Sequence, residues 1–351
     1  MSLTTSPLNV FKALPKVELH RHLEGSLRLQ TMLEIADAHG ITLPDSVLRL
    51  SGLVQVQDED PLTFQNFLAK FNTLRLFYRS PEVITRVTRE AVEDAARDNV
   101  RYMELRFTPV ALSRAERFPL HDVIDWVCTS TAAAAAEFGI QVRLIASVNR
   151  HESPELAEQV AWLAAAHTED GIVGMDLAGN EAEFSAEPFA GIFSEAKQAG
   201  LHLTIHAGEW AGADNVREAI EKVGAERIGH GVRVIDDENV VALARERGTT
   251  FEVCVTSNYQ SGVVPALSNH PLPRMLQADL NVTLNTDDPS VSRIDLTHEF
   301  KLAHEDLGLP MNILKRSILA AAKASFLPAD EREALHDQLE KKLGLKLWRD
   351  E

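Results

Sequence analysis

Eight short β-rich runs, each closing on polar residues and separated by stretches of helical periodicity, constrain the fold of this chain more than any other feature. The runs lie at residues 17–23, 100–108, 142–148, 172–177, 201–206, 227–230, 250–255 and 281–286. Segments such as 156–166, 189–199, 216–223 and 239–247 stand between them with apolar residues at helical spacing. Gly200, Gly224 and Gly248 sit where helix C-terminal glycines belong. A strand that returns through a helix pairs in parallel with its neighbour, so the pattern implies a parallel sheet with helices outside it. Eight such units close most economically into a (β/α)8 TIM barrel of class α/β. The alternative, an open doubly wound sheet, would carry a Gly-rich dinucleotide turn after its first strand, and Leu23-Glu24-Gly25-Ser26 is not one.

The 351 residues are expected to form one domain, 1–351, since a barrel of about 250 residues with insertions fills that length. Residues 40–99 interrupt the rhythm after the first strand. Phe64, Phe67, Leu68 and Phe71 stand there at i, i+3, i+4 and i+7, followed by Leu74 and Phe77. The spacing predicts a helical insertion packed on the barrel, placed to act as an apolar lid over its mouth. The stretch 295–343 reads as further helices.

Charge narrows the partners. Lys and Arg total 35 against 52 Asp and Glu, a net −17. That surplus disfavours nucleic-acid backbone and anionic membrane surfaces, and it suits a neutral or cationic small molecule. No run approaches the ~20 apolar residues of a transmembrane helix. The start, MSLTTSPLNV, lacks a basic segment followed by an apolar one, so no secretory signal is expected. The only cysteines, Cys128 and Cys254, provide neither a disulfide framework nor a Cys-x-x-Cys knuckle, which fits the reducing cytoplasm.

Polar residues cluster at the strand ends. In a strand, residues i and i+2 share a face. Glu18, His20, His22 and Glu24 therefore share the interior face of the first run. His202, Thr204 and His206 do so in the fifth, with Glu209 just beyond. His202 is deeper, and reads as a satisfied interior residue and not as a ligand. His230 lies between Gly229 and Gly231 at the end of the sixth run, and Asn285 and Asp287 face inward at the end of the last. Strands of a parallel barrel end at one mouth, so His20, His22, His206 and Asp287 converge. Three imidazoles and a carboxylate suit Zn²⁺, with Fe²⁺ or Co²⁺ as alternatives. Glu209, His230 and Asp288 stand around them.

These residues sit in segments that resemble the adenosine deaminase family: VELHRHLEGSLR, VGMDLAGNE, TIHAGE, RIGHG, CVTSNYQSG and LNTDDP, in the family's order across residues 15–289. The resemblance implies a zinc-dependent barrel hydrolase that converts a 6-aminopurine nucleoside to the 6-oxopurine and ammonia. It implies that His20, His22, His206 and Asp287 bind the metal, one per chain. Glu209 then protonates purine N1, His230 orients the attacking water, and Asp288 takes its proton. His22, Glu24, Gly179 and Asp288 contact substrate, with Gly179 donating its N–H to purine N3. Glu24 departs from the Asp of nucleoside-specific members, which keeps deoxyadenosine, free adenine, 6-aminodeoxyfutalosine and N6-methyl-AMP open beside adenosine. A catalytically silent purine-binding protein is the rival of another class. No Lys/Arg cluster for a phosphate stands near the motifs, and the His-x-Glu with Pro-Cys-x-x-Cys plan of other zinc deaminases is absent.

Overall fold

The computed structural model describes residues 7–43 and 47–345. The expectation drawn from the N-terminal residues falls in part on residues 1–6, outside the described residues, and residues 44–46 of the insertion lie outside them as well.

The strands are β1 (Lys16–His22), β2 (Val100–Phe107), β3 (Gln141–Asn149), β4 (Ile172–Ala178), β5 (His202–Ala207), β6 (Arg227–His230), β7 (Thr250–Val253) and β8 (Asn281–Leu284). They form one parallel sheet in sequence order. The sheet curls until β8 meets β1. His22 N–H donates to the Asp287 carbonyl at 2.8 Å and Asp287 N–H to the His20 carbonyl at 2.9 Å. The barrel is thus nearly closed at the residues expected to bind metal.

Strand ends differ from expectation by at most two residues. β7 stops at Val253 because a helix, Val255–Gln260, begins there. β8 stops at Leu284 because side chains take over the ladder: Asn285 Oδ1 accepts the Leu19 N–H at 2.8 Å, and Glu18 accepts the Thr286 N–H at 3.2 Å.

Outward-facing Val, Leu and Ile of the strands are buried under the helices, as a parallel sheet covered on its outer side requires. The inside is charged. Glu18, Glu104, Arg106, Asp176, Arg227 and Glu252 are all buried there. Buried charges persist only when paired, and here their signs alternate. Arg227 bonds Glu104 and forms an ion pair with Glu252, its Nε 2.7 Å from Oε1. Arg106 reaches Glu252 at 2.7 Å and Asp176 at 3.5 Å.

Residues 40–99 carry three helices, Val47–Val54, Phe64–Leu74 and Pro81–Arg97. Thr63 caps the second through the Asn66 N–H at 3.3 Å, and Ser80 caps the third through the Val83 N–H at 3.3 Å with Pro81 in its first turn. The C-terminal helices are Leu296–Glu305, Met311–Ala324 and Ala329–Leu343. Among the described residues no helix is long and apolar enough to cross a membrane. Cys128 and Cys254 are free and buried.

Candidate metal centre and active site

Two carboxylates of the barrel interior set the histidines. His20 Nδ1 lies 2.8 Å from Glu252 Oε2. Burial pushes the Glu252 carboxyl up, but Arg106 and Arg227 beside it hold it well below the usual range. It is therefore an acceptor, and the His20 proton sits on Nδ1. His206 Nδ1 lies 2.8 Å from Asp176 Oδ1. Asp176 is held low in the same way, against burial, by His206 and Arg106. Both rings consequently turn an Nε2 lone pair into the mouth. His22 Nε2 stands 3.4 Å from His206 Nε2, and Asp287 Oδ1 is 3.1 Å from His20 Nε2 and 3.4 Å from His22 Nε2. Ser257 Oγ donates to the other Asp287 oxygen at 2.7 Å.

The four ligand atoms of His20, His22, His206 and Asp287 lie within 4.8 Å of one another. Ligands at ~2.0–2.1 Å from a tetrahedral Zn²⁺ sit roughly 3.3 Å apart, which the three measured separations bracket. A donor set of nitrogen lone pairs facing one another fits a cation. Cys254 is close enough to join a second grouping with His20, His230 and Asp287, and burial pushes its thiol well up.

The backbone is shaped around the site. A Cβ on Gly229 would lie 2.9 Å from the His20 ring and 3.2 Å from that of His206, so only glycine lets the two imidazoles pack over β6. His230 and Asp287 hold φ of 58° and 64°, a left-handed conformation that costs non-glycine residues about 1 kcal/mol or more and gathers at functional sites.

One cavity is lined by His22, Glu24, Gly179, His206, Glu209, His230, Asp287 and Asp288. Of the residues that the resemblance assigns to metal, catalysis or substrate, His20 alone does not line it and lies behind at 0% exposure. Burial, with Asp287, Glu181 and Asp288 nearby, pushes the Glu209 carboxyl well up. Burial, with Asp287 and Glu24, does the same to Asp288. Buried Glu24 Oε2, Asp288 Oδ1 and Trp210 Nε1 have no hydrogen-bond partner, and all three residues line the cavity. Glu24 spends its other oxygen on the Thr108 N–H at 2.5 Å.

His202 is a correction. It does not fill the interior near the site. It lies at the opposite end of the barrel, with its side chain 39% exposed, 2.9 Å from Glu226 and stacked on Phe326.

Several residues went unassigned in the sequence. Glu181 is buried and accepts the N–H groups of Gly208, Glu209, Trp210 and Ala211 at 2.6–3.1 Å, and the Asn215 amide at 3.0 Å. Its only sequence signal is its place three residues after Ala178 in the VGMDLAGNE segment. Asp176, Arg106 and Glu252 left less: inward parity, shared by many strand residues. Arg75, at the end of helix Phe64–Leu74, also lines the cavity, with Phe67, Leu68 and Phe71 of that helix.

Residues 15–342 match the family model described as Adenosine deaminase. An adenosine deaminase of Shigella flexneri is 36% identical over 327 residues, covering 93% of this chain and 98% of that one. An adenine deaminase from Arthrobacter aurescens superposes with a TM-score of 0.87 at 27% identity, covering 95% of this chain and 100% of that one. An amidohydrolase from Burkhoderia ambifaria, solved with bound Zn, gives 0.87 at 27%, covering 98% and 96%.

Proposed function

The chain belongs to the adenosine deaminase family, and we propose that it hydrolytically deaminates a 6-aminopurine nucleoside, adenosine first, on a single zinc ion held by His20, His22, His206 and Asp287. It is a hydrolase acting on C–N bonds. The observation that carries the finer reading is the convergence of those four ligand atoms within 4.8 Å beside the buried carboxyl of Glu209, whose proton burial retains.

When bound there, the ion would supply Lewis acidity that brings water towards hydroxide near neutral pH. The other steps belong to side chains. An aminopurine C6 is a poor electrophile until its ring carries a proton. Glu209, kept protonated by burial, gives one to N1. Asp288 takes the proton of the attacking oxygen and passes it to the C6 amino group, whose bond to carbon then breaks to release ammonia, and His230 faces that oxygen from the cavity wall. Gly179 offers its N–H to N3. Unpaired Glu24 Oε2 suits a ribose hydroxyl, which supports the nucleoside over the free base. Helix Phe64–Leu74 covers the mouth: Phe67 lines the cavity, and Phe64 stacks on Trp210 at 5.2 Å. We read it as the lid of a single-domain enzyme, and the two buried thiols suit the cytoplasm.

The test is an ammonia-release screen of zinc-loaded protein on adenosine, deoxyadenosine, adenine, 6-aminodeoxyfutalosine and N6-methyl-AMP, ranked by kcat/KM. Adenosine should lead. Leadership by another substrate overturns the nucleoside assignment, and turnover of none of them favours a silent binder. Glu209→Gln should retain zinc and lose at least about 100-fold in kcat, the usual scale of a lost general acid.

A further inference from the structure

The CVTSNYQSG segment carries an asparagine that the proposed chemistry leaves unused. Asn258 is fully buried, one residue after the serine that bonds Asp287. It stands between two histidines, and its contacts can be followed from a group whose proton is certain.

That group is the Leu272 N–H, which can only donate. It meets His270 Nδ1 at 3.1 Å, so this nitrogen holds a lone pair. His270 is 3% exposed, and burial pushes its pKa down to about 3, which leaves the ring neutral. Its one proton is therefore on Nε2. That nitrogen faces Asn258 Oδ1 at 3.4 Å, which fixes the orientation of the amide. The Asn258 nitrogen then points the other way, at His230 Nδ1, 3.1 Å distant. An amide NH₂ has no lone pair to offer, so His230 Nδ1 accepts and the His230 proton lies on Nε2. That atom stands 3.7 Å from Glu209 Oε2 and 3.8 Å from Asp287 Oδ2, at the cavity wall. An imidazolium at 230 would set Nδ1–H against the amide N–H.

We propose that Asn258 and His270 are positioning residues that lock His230 as its Nε2–H tautomer, so that His230 serves as a hydrogen-bond donor and not as a base. The assignment of what His230 donates to rests on the deaminase reading; the tautomer does not. The donor role leaves proton abstraction from the attacking oxygen to Asp288 alone. Three links, each with its direction set by the one before, carry the choice from a backbone amide to the reacting centre.

The test is a long-range ¹H–¹⁵N spectrum of zinc-loaded protein labelled at histidine, with the His230 signals identified by their loss in His230→Gln. Nδ1 should resonate as an unprotonated nitrogen and Nε2 as a protonated one. Asn258→Asp puts a carboxylate against Nδ1 and should draw the proton there, inverting the pattern. In adenosine turnover it should lower kcat about 100-fold or more with KM changed less than about threefold, the behaviour of an imidazole held in the wrong tautomer. His270→Phe breaks the first link and should lower kcat about tenfold. His270→Gln, able to accept from Leu272 and donate to Asn258, should restore it. If Asn258→Asp does not fold, the wild-type spectrum and the His270 pair decide. A wild-type His230 protonated on Nδ1, or an Asn258→Asp protein with unchanged tautomer and kcat, overturns the proposal. An Nε2–H signal in a protein that turns over no aminopurine upholds the tautomer and defeats only the deaminase reading.

Discussion

At the scale of single residues, the position of the proposed proton donor depends on a carboxylate that does not line the cavity. Glu181 collects five N–H groups from the segment Gly208–Ala211 and from Asn215. Hydrogen bonds to a charged acceptor contribute roughly 1.5–3 kcal/mol each where they are buried, so this segment has little freedom to move Glu209. The negative charge of Glu181 also helps keep the Glu209 proton in place. Glu181→Ala should lower kcat about 100-fold, while zinc content, measured by atomic absorption, stays at the wild-type level because His206 precedes the segment. Added to Glu209→Gln, the same change should cost little more, since residues acting through one another do not add. Full additivity of the two losses would mean that Glu181 does not act through Glu209. The sequence exposed Glu209 because it follows the inward-facing His206 in a His-Ala-Gly-Glu segment. It hid the role of Glu181 because 27 to 34 positions separate Glu181 from the N–H groups it holds.

At the scale of elements, the helix Phe64–Leu74 shows what periodicity delivers. Apolar residues at i, i+3, i+4 and i+7 predict a helix with one buried face, and the helix is there. They do not say which surface the face meets. In the fold Phe67, Leu68 and Phe71 complete the cavity wall. Phe64 instead packs on Trp210, the residue after Glu209. The two phenylalanines should therefore behave differently. Phe67→Ala should raise KM for adenosine about 10- to 100-fold with kcat changed less than about threefold, because about 1.5–3 kcal/mol of apolar burial is lost from ground and transition states alike. Phe64→Ala should also lower kcat, because Trp210 and its neighbour lose their support. Steady-state kinetics on both variants checks this, and unchanged KM in Phe67→Ala removes the lid reading.

At the scale of the whole molecule, the barrel is held from inside by charge. The interior Glu104, Arg227, Glu252, Arg106 and Asp176 alternate in sign up to the Nδ1 atoms of two metal-facing histidines. The stability of the fold and the aim of its ligands thus depend on the same buried pairs, of which breaking one costs about 3–5 kcal/mol. A separate buried acid makes stability depend on pH. Glu299 accepts the Val255 N–H at 2.8 Å and bonds Thr256, and burial pushes its carboxyl up to about 7. In the unfolded chain it titrates near ~4.3. Between those values the native state holds a proton that the unfolded state has lost, so stability falls as pH rises from about 4.5 to about 7 and then levels. The group's share is about 4 kcal/mol over the whole range. Urea denaturation at pH 5 and pH 8 should show that loss in the wild type and not in Glu299→Gln. Parallel pH dependences in the two proteins would show that Glu299 does not titrate in this window.

The linear order of residues determined the alternation of strands and helices, the side of each strand on which a residue stands, and which residues are proposed to face the metal and to give the proton. Those properties are local: a period of two or of 3.6 is written within a few neighbours, and strand ends of one parallel barrel open at one mouth. Tertiary structure alone decided the directions of protons. That His20 and His206 turn Nε2 inward follows from Glu252 and Asp176, which lie on other strands. That His230 presents N–H follows from an asparagine 28 residues away and a histidine beyond it. A hydrogen bond has a direction only once both partners are in place, and closure of the barrel is what brings them together.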